Sequence, residues 1–227
     1  MPSTTLLQQH HSGLLLATAA LPLTGWAVHV SVLRRRVAAQ ERDPLTGLWR
    51  REIYTARARR LLTPRSLARR RDIAVLFVDA DHFKQINDRD GHEAGDAVLA
   101  ALGRRLSAWA GPRAVCGRLG GDEFAVALPL PAEHRTERLE QLVRALHAPV
   151  RLDDGRLIQV AASVGAATTD TLHTRDLTAL QRASDAALYD GKHTGRAVLA
   201  TTAHTRVPSI NGRRLGRPGT SVWGQAA

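Results

Sequence analysis

Hydrophobic and polar positions along this chain alternate between a strand period and a helix period. Residues 73–78 (Ile-Ala-Val-Leu-Phe-Val) are an unbroken apolar run, which predicts a central strand buried on both faces. Residues 93–109 put Ala94, Val98, Leu99, Leu102 and Leu106 on one stripe. Residues 132–147 put Leu139, Leu142, Val143 and Leu146 at i, i+3, i+4 and i+7. Both segments predict amphipathic helices. Further helices are expected over 50–62, ahead of Pro64, and over 176–192. Short strands over 114–119 and 124–128 flank Gly120-Gly121 and predict a hairpin. Residues 150–152 and 157–168 read as strands around Asp154-Gly155, and 197–200 as a closing strand. Asp43-Pro44-Leu45-Thr46-Gly47-Leu48 is a turn-rich entry in which Asp43 and Thr46 can cap. Strands separated by amphipathic helices, with hairpins among them, predict an α/β fold: an α+β sandwich of ferredoxin-like type over residues 43–201. Residues 202–227 carry Gly, Pro, Ser and Arg without periodicity and are expected to be a disordered tail.

The start of the chain differs. After a short segment, 1–12, residues 13–33 contain no Lys, Arg, Asp or Glu. As a helix they would measure about 31 Å, enough to cross a bilayer core. Arg34-Arg35-Arg36 follows this stretch. A cleaved signal peptide has the opposite order. The expectation is a single-pass transmembrane helix in the cytoplasmic membrane with everything after Arg34 in the cytoplasm; the alternative is a buried amphipathic N-terminus. Residues 34–42 make a linker too short for a sensory domain.

The net charge of +11 asks for a partner. Between Asp43 and Thr201, however, stand 24 basic and 20 acidic residues, so most of the surplus lies at the two ends. With aromatics at only 4%, this argues against a nucleic-acid-binding face. One cysteine, Cys116, excludes an internal disulfide and a Cys-based zinc site. The basic residues are almost all Arg; the two lysines are Lys84 and Lys192.

The chemistry concentrates in two acidic motifs. The apolar strand runs into Asp79-Ala80-Asp81, carboxylates at the tip of a buried strand. The hairpin carries Gly120-Gly121-Asp122-Glu123, whose glycines allow a tight turn and close approach of a phosphate. If the hairpin pairs beside the central strand, Asp79, Asp122 and Glu123 form one cluster. Clustered acids repel unless a cation offsets them, and hard oxygen ligands suit Mg²⁺.

Four motifs in order carry a family resemblance. Arg118-Leu119-Gly120-Gly121-Asp122-Glu123-Phe124 resembles the signature of the GGDEF family, the diguanylate cyclases. Asp43 to Leu48 is similar to its opening motif. Asp79-Ala80-Asp81-His82-Phe83-Lys84-Gln85-Ile86-Asn87-Asp88 with Gly91-His92-Glu93-Ala94-Gly95-Asp96 resembles its metal and guanine stretch. Ala187-Leu188-Tyr189-Asp190-Gly191-Lys192 through Arg196 resembles its closing motif. The resemblance implies a palm-type nucleotidyl cyclase fold in which two GTP molecules condense to cyclic di-GMP and pyrophosphate across a homodimer. It further implies that Asp79, the Ala80 carbonyl and Asp122 hold Mg²⁺, two ions per site, with Mn²⁺ an alternative. Asp122 would accept the 3′-hydroxyl proton, with Glu123 the alternative ligand or base. Asn87 and Asp96 would read guanine, Lys84, Lys192 and Arg196 would contact phosphate, and Gly120 and Gly121 would admit the nucleotide closely. His82 and His92 are expected to be structural, and Cys116 an inert core residue.

Two departures stand out. Relatives with a product-inhibition site carry Arg-x-x-Asp before the hairpin, where this chain has Gly111-Pro112-Arg113-Ala114, so inhibition through that site is not expected. Trp49 and Ala197 stand where Asn is common. The competing reading is a catalytically silent domain that binds GTP or serves as a scaffold.

Overall fold

The computed structural model describes residues 26, 29, 41–63, 72–192 and 194–206. It divides into two units, Met1–Arg42 and Asp43–Ala227. In the first, Trp26 and His29 are helical and exposed. The expected membrane span over 13–33 otherwise lies outside the described residues, and among those described no helix is long and apolar enough to cross a membrane.

In the second unit a six-stranded mixed sheet takes the order β1-β3-β4-β2-β7-β8. Its strands are β1 (Trp49–Arg50), β2 (Ile73–Ala80), β3 (Val115–Gly120), β4 (Glu123–Pro129), β7 (Ala162–Thr168) and β8 (Ala197–Leu199). A two-stranded ribbon of β5 (Val150–Arg151) and β6 (Leu157–Ile158) stands apart. The helices are α1 (Arg51–Leu62), α2 (Phe83–Asp90), α3 (His92–Ala110), α4 (Arg135–Leu146) and α5 (Leu177–Asp190).

All eight residues of β2 are buried, because the strand lies between antiparallel neighbours β4 and β7 and under helices on both faces. Its side chains alternate between two cores. Ala74, Leu76, Val78 and Ala80 join the α3 and α4 stripes, including Val98, Leu102, Leu142 and Leu146. Ile73, Val75 and Phe77 join Tyr54 and Ala58 of α1 and Leu180, Ala183 and Ala187 of α5. Asp79 continues this second face. The α5 helix approaches β7 so closely that a Cβ at Gly165 would collide with the Ser184 carbonyl. It starts at Asp176, whose side chain accepts from the backbone N–H groups of Thr178 (2.6 Å) and Ala179 (3.3 Å).

Several expectations shift. The strand expected over 157–168 is two elements: β6 belongs to the outlying ribbon, where Leu157 is exposed, and β7 begins at Ala162, where the chain enters the covered sheet. The helix expected from residue 132 opens with a 3₁₀ turn, Ala132–His134. The short helix α2 was not anticipated, since Ile86 is its one buried residue and gives no periodic stripe. Regular structure also continues past residue 201. Thr202–Arg206 forms a 3₁₀ turn because the His204 ring takes the Thr201 N–H at 2.9 Å and reaches Asp190 Oδ2 at 3.1 Å, tying the segment to the end of α5. The rest of the expected tail, 207–227, lies outside the described residues.

Candidate active site

The two acidic motifs meet because of strand pairing. Asp79, near the end of β2, stands directly opposite Glu123, the first residue of β4. Opposed residues of an antiparallel pair share a face. One step further, the Ala80 N–H donates to the Asp122 carbonyl at 3.2 Å. The hairpin tip is therefore bonded to the strand tip. Gly121 takes φ 51 in the turn, a conformation open to glycine, and a bulge shifts the register between Arg118 and Gly120.

A cation already faces Asp79. Lys192, just beyond α5, sets its Nζ 3.1 Å from Asp79 Oδ1, with the carboxylate side chain only 7% exposed. A buried carboxylate is costly without such a partner. On the hairpin side, Arg51 donates through Nε to the Leu119 carbonyl at 2.9 Å and brings Nη2 to 3.9 Å from Glu123 Oε2. Arg118 donates through Nε and Nη2 to the Gly121 carbonyl at 3.0 and 2.8 Å, and through Nη1 to the Asp43 carboxylate at 3.1 Å. Asp43 also accepts from the Thr46 N–H and hydroxyl at 2.8 and 2.7 Å. Burial alone would raise the Asp43 pKa, but the Thr46 bonds and the Arg118 guanidinium outweigh it and hold the carboxyl below its ordinary value. Arg50, Arg51, Arg118, Asp43 and the two hairpin glycines line an open cavity of about 450 Å³.

The expected guanine readers stand on α2 and α3. Asn87 accepts the Gly91 N–H through its backbone carbonyl at 3.0 Å, which ends α2. Its side chain then lies over Gly95 so tightly that a Cβ there would strike Asn87 Oδ1. Gly95 precedes Asp96, whose side chain is exposed. Phe83 packs on the same glycine.

The remaining expected residues are more dispersed. Lys84 is exposed on the first turn of α2. Arg196 borders a groove of about 570 Å³ between α4 and the start of β8, with Arg135, Leu139 and Val143. That groove lies on the opposite face of the sheet from Lys192 and Asp79. Residues 111–114, at the position of the inhibitory motif, form the turn between α3 and β3, closed by the Ala114 N–H to the Gly111 carbonyl at 3.2 Å. Cys116 is buried in β3, and burial pushes its thiol up to about 12, which keeps it a thiol at neutral pH.

The donor set fits a hard divalent cation. Asp79, the Ala80 carbonyl and the hairpin acids offer oxygen only, the chemistry Mg²⁺ prefers. Among the described residues no three His, Cys, Asp or Glu side chains converge closely enough to hold a metal, so the single cluster expected of Asp79, Asp122 and Glu123 does not form, although strand pairing does oppose Asp79 to Glu123. Sequence reading missed two contributors: Arg51, and Arg118 as a clamp on the hairpin. Arg118 stood inside a quoted motif, but nothing local marked its reach to Asp43; Arg51 is one arginine among many.

The chain is similar to known proteins. The family model described as "Diguanylate cyclase, GGDEF domain" matches residues 40–198. The "Uncharacterized 19.3 kDa protein in repSA 5′ region" of Streptomyces ambofaciens is 46% identical over 79% of this chain and 93% of its own length. Diguanylate cyclase TpbB of Pseudomonas aeruginosa is 36% identical over 77% of this chain, which spans 40% of TpbB. The coiled coil and GGDEF domain of DgcB from Caulobacter crescentus, solved in complex with c-di-GMP, is 25% identical, with a TM-score of 0.68 over 82% of this chain and 97% of that one. The fold and its acidic hairpin define a mixed α/β domain of the palm-like GGDEF type. The chain belongs to the GGDEF domain family.

Proposed function

We propose that this chain is a diguanylate cyclase, condensing two GTP molecules to cyclic di-GMP with release of pyrophosphate. The observation that carries the reading is the register that opposes Asp79 to Glu123 with Lys192 on the Asp79 carboxylate. Its relatives include a named diguanylate cyclase and a GGDEF domain solved with c-di-GMP. Asn87 and Asp96 bind the guanine edge, since an Asn amide both donates and accepts and an Asp accepts from the ring N–H and the amino group. Lys192 turns from Asp79 toward phosphate oxygens as the nucleotide enters, and Lys84 adds charge at the phosphate end, while Arg196, in the groove on the other face of the sheet, takes no part in it. Asp79, the Ala80 carbonyl and Asp122 would hold Mg²⁺, which supplies polarisation of the phosphate oxygens and charge neutralisation. Asp122 accepts the proton of the 3′-hydroxyl that attacks the α-phosphate of the facing GTP, with Glu123 beside it. One nucleotide per subunit requires two subunits face to face. The same reading places residues 13–33 in the cytoplasmic membrane, on hydropathy alone.

The test is direct. The full chain incubated with GTP and Mg²⁺ should yield cyclic di-GMP and pyrophosphate, and Asp122→Ala should abolish product while nucleotide binding persists. Binding without turnover in the parent protein would instead support the silent GTP-binding reading.

A further inference from the structure

Asp81 closes the Asp79-Ala80-Asp81 triplet, yet the proposed mechanism gives it no task. It is one of the most buried acids of the domain, 5% exposed. Its backbone N–H donates to the Ala161 carbonyl at 2.9 Å. Its Oδ1 accepts the Ser163 hydroxyl at 2.8 Å, a bond between two buried side chains 82 residues apart in the chain. Ser163 is 3% exposed and stands directly opposite Asp79 on β7. The residue after Asp81, His82, has φ 55 and leads into α2 without a side-chain cap. Burying a carboxylate and a hydroxyl together costs desolvation that an apolar pair would not.

What the bond holds is the turn between two functional groups. On one side of Asp81 lies Ala80, whose carbonyl the cyclase reading assigns to the cation. On the other lies α2, which carries Lys84 and Asn87. Both ends of β2's exit are pinned: Ala80 to the Asp122 carbonyl of the hairpin, Asp81 to β7. We infer that Ser163, through Asp81, is a positioning residue that orients the Ala80 carbonyl toward the metal and sets the entry angle of α2. This rests on the cyclase reading of the same site.

Partners that orient a metal's ligands change affinity or activity about 10- to 100-fold when removed. The probe is Mn²⁺ binding, read by electron paramagnetic resonance, to the full chain in the presence of guanosine 5′-[α,β-methylene]triphosphate, which cannot react at the α-phosphate. Ser163→Ala should weaken Mn²⁺ binding about tenfold and lower kcat with little change in the thermal midpoint. Asp81→Asn keeps an acceptor for Ser163 and should restore most of that affinity relative to Asp81→Ala. Three outcomes overturn the inference. Unchanged Mn²⁺ affinity in Ser163→Ala would make the bond purely structural. Loss of Mn²⁺ in Asp81→Asn with none in Ser163→Ala would make Asp81 a direct ligand. A lowered midpoint with unaltered affinity and kcat would assign the pair to stability alone. If the parent protein binds no Mn²⁺ with the nucleotide, the cyclase reading fails first, and separately.

Discussion

Gly95 and Asn87 share one volume at the junction of α2 and α3. The glycine is required there for approach, since its missing Cβ is where the Asn87 amide oxygen sits. Gly95→Ala adds a residue that favours the helix interior by about 0.8–1.0 kcal/mol, so the domain should stay folded. The Asn87 amide must move, however, and on the cyclase reading one base hydrogen bond is lost with it. That is worth about 1 kcal/mol, or roughly fivefold in Kd. Calorimetric titration with GTP should show the drop while thermal unfolding changes little; unaltered affinity would detach Asn87 from guanine binding. Lys192 teaches the complementary lesson at the same scale. One of only two lysines in the chain, it reaches the buried acid of the neighbouring motif. Its ammonium thereby offsets the Asp79 carboxylate.

At the scale of elements, the entry turn and the hairpin are clamped together. Asp43 orders its own turn through Thr46 and holds Arg118, and Arg118 in turn grips the Gly121 carbonyl. The folded-state pKa of Asp43 lies below its ordinary value of 3.8. Its contribution to stability is therefore present above that value and fades as the pH falls through the lower folded value. Asp43→Asn should cost about 1 kcal/mol in urea unfolding near neutral pH, a figure reduced by the partial exposure of the pair. The gap between variant and parent should close as Asp43 becomes protonated in the acid range. A pH-independent difference would mean that packing, and not charge, holds the turn.

For the whole molecule, the consequence concerns feedback. The turn at 111–114 presents Gly111 and Ala114 where an inhibitory Arg and Asp would be needed. An Ala offers no carboxylate to a base and a Gly no guanidinium to a phosphate. Excess cyclic di-GMP should leave the initial rate of the purified chain nearly unchanged, apart from weak competition with GTP. Strong noncompetitive inhibition would reveal a product site built from other residues.

Much of the domain was legible before any coordinates. Unbroken and alternating apolar runs located β2, the hairpin and the helices α1, α3, α4 and α5, because periodicity is a local property that burial imposes on a segment. The motifs named the acids, and their order carried the family. Elements without a buried stripe stayed hidden: α2 rests on Ile86 alone, β1 spans two residues, and Thr202–Arg206 is held by a histidine reaching back to α5. Register and long-range polar bonds were decided only by the fold. Nothing in residues 79 and 123 states that they face each other, nor in Ser163 that it will meet Asp81, nor in Arg196 that it borders a groove on the other face from Lys192. Those pairings depend on which strands become neighbours, and neighbours are chosen by closing the two cores on either side of the sheet.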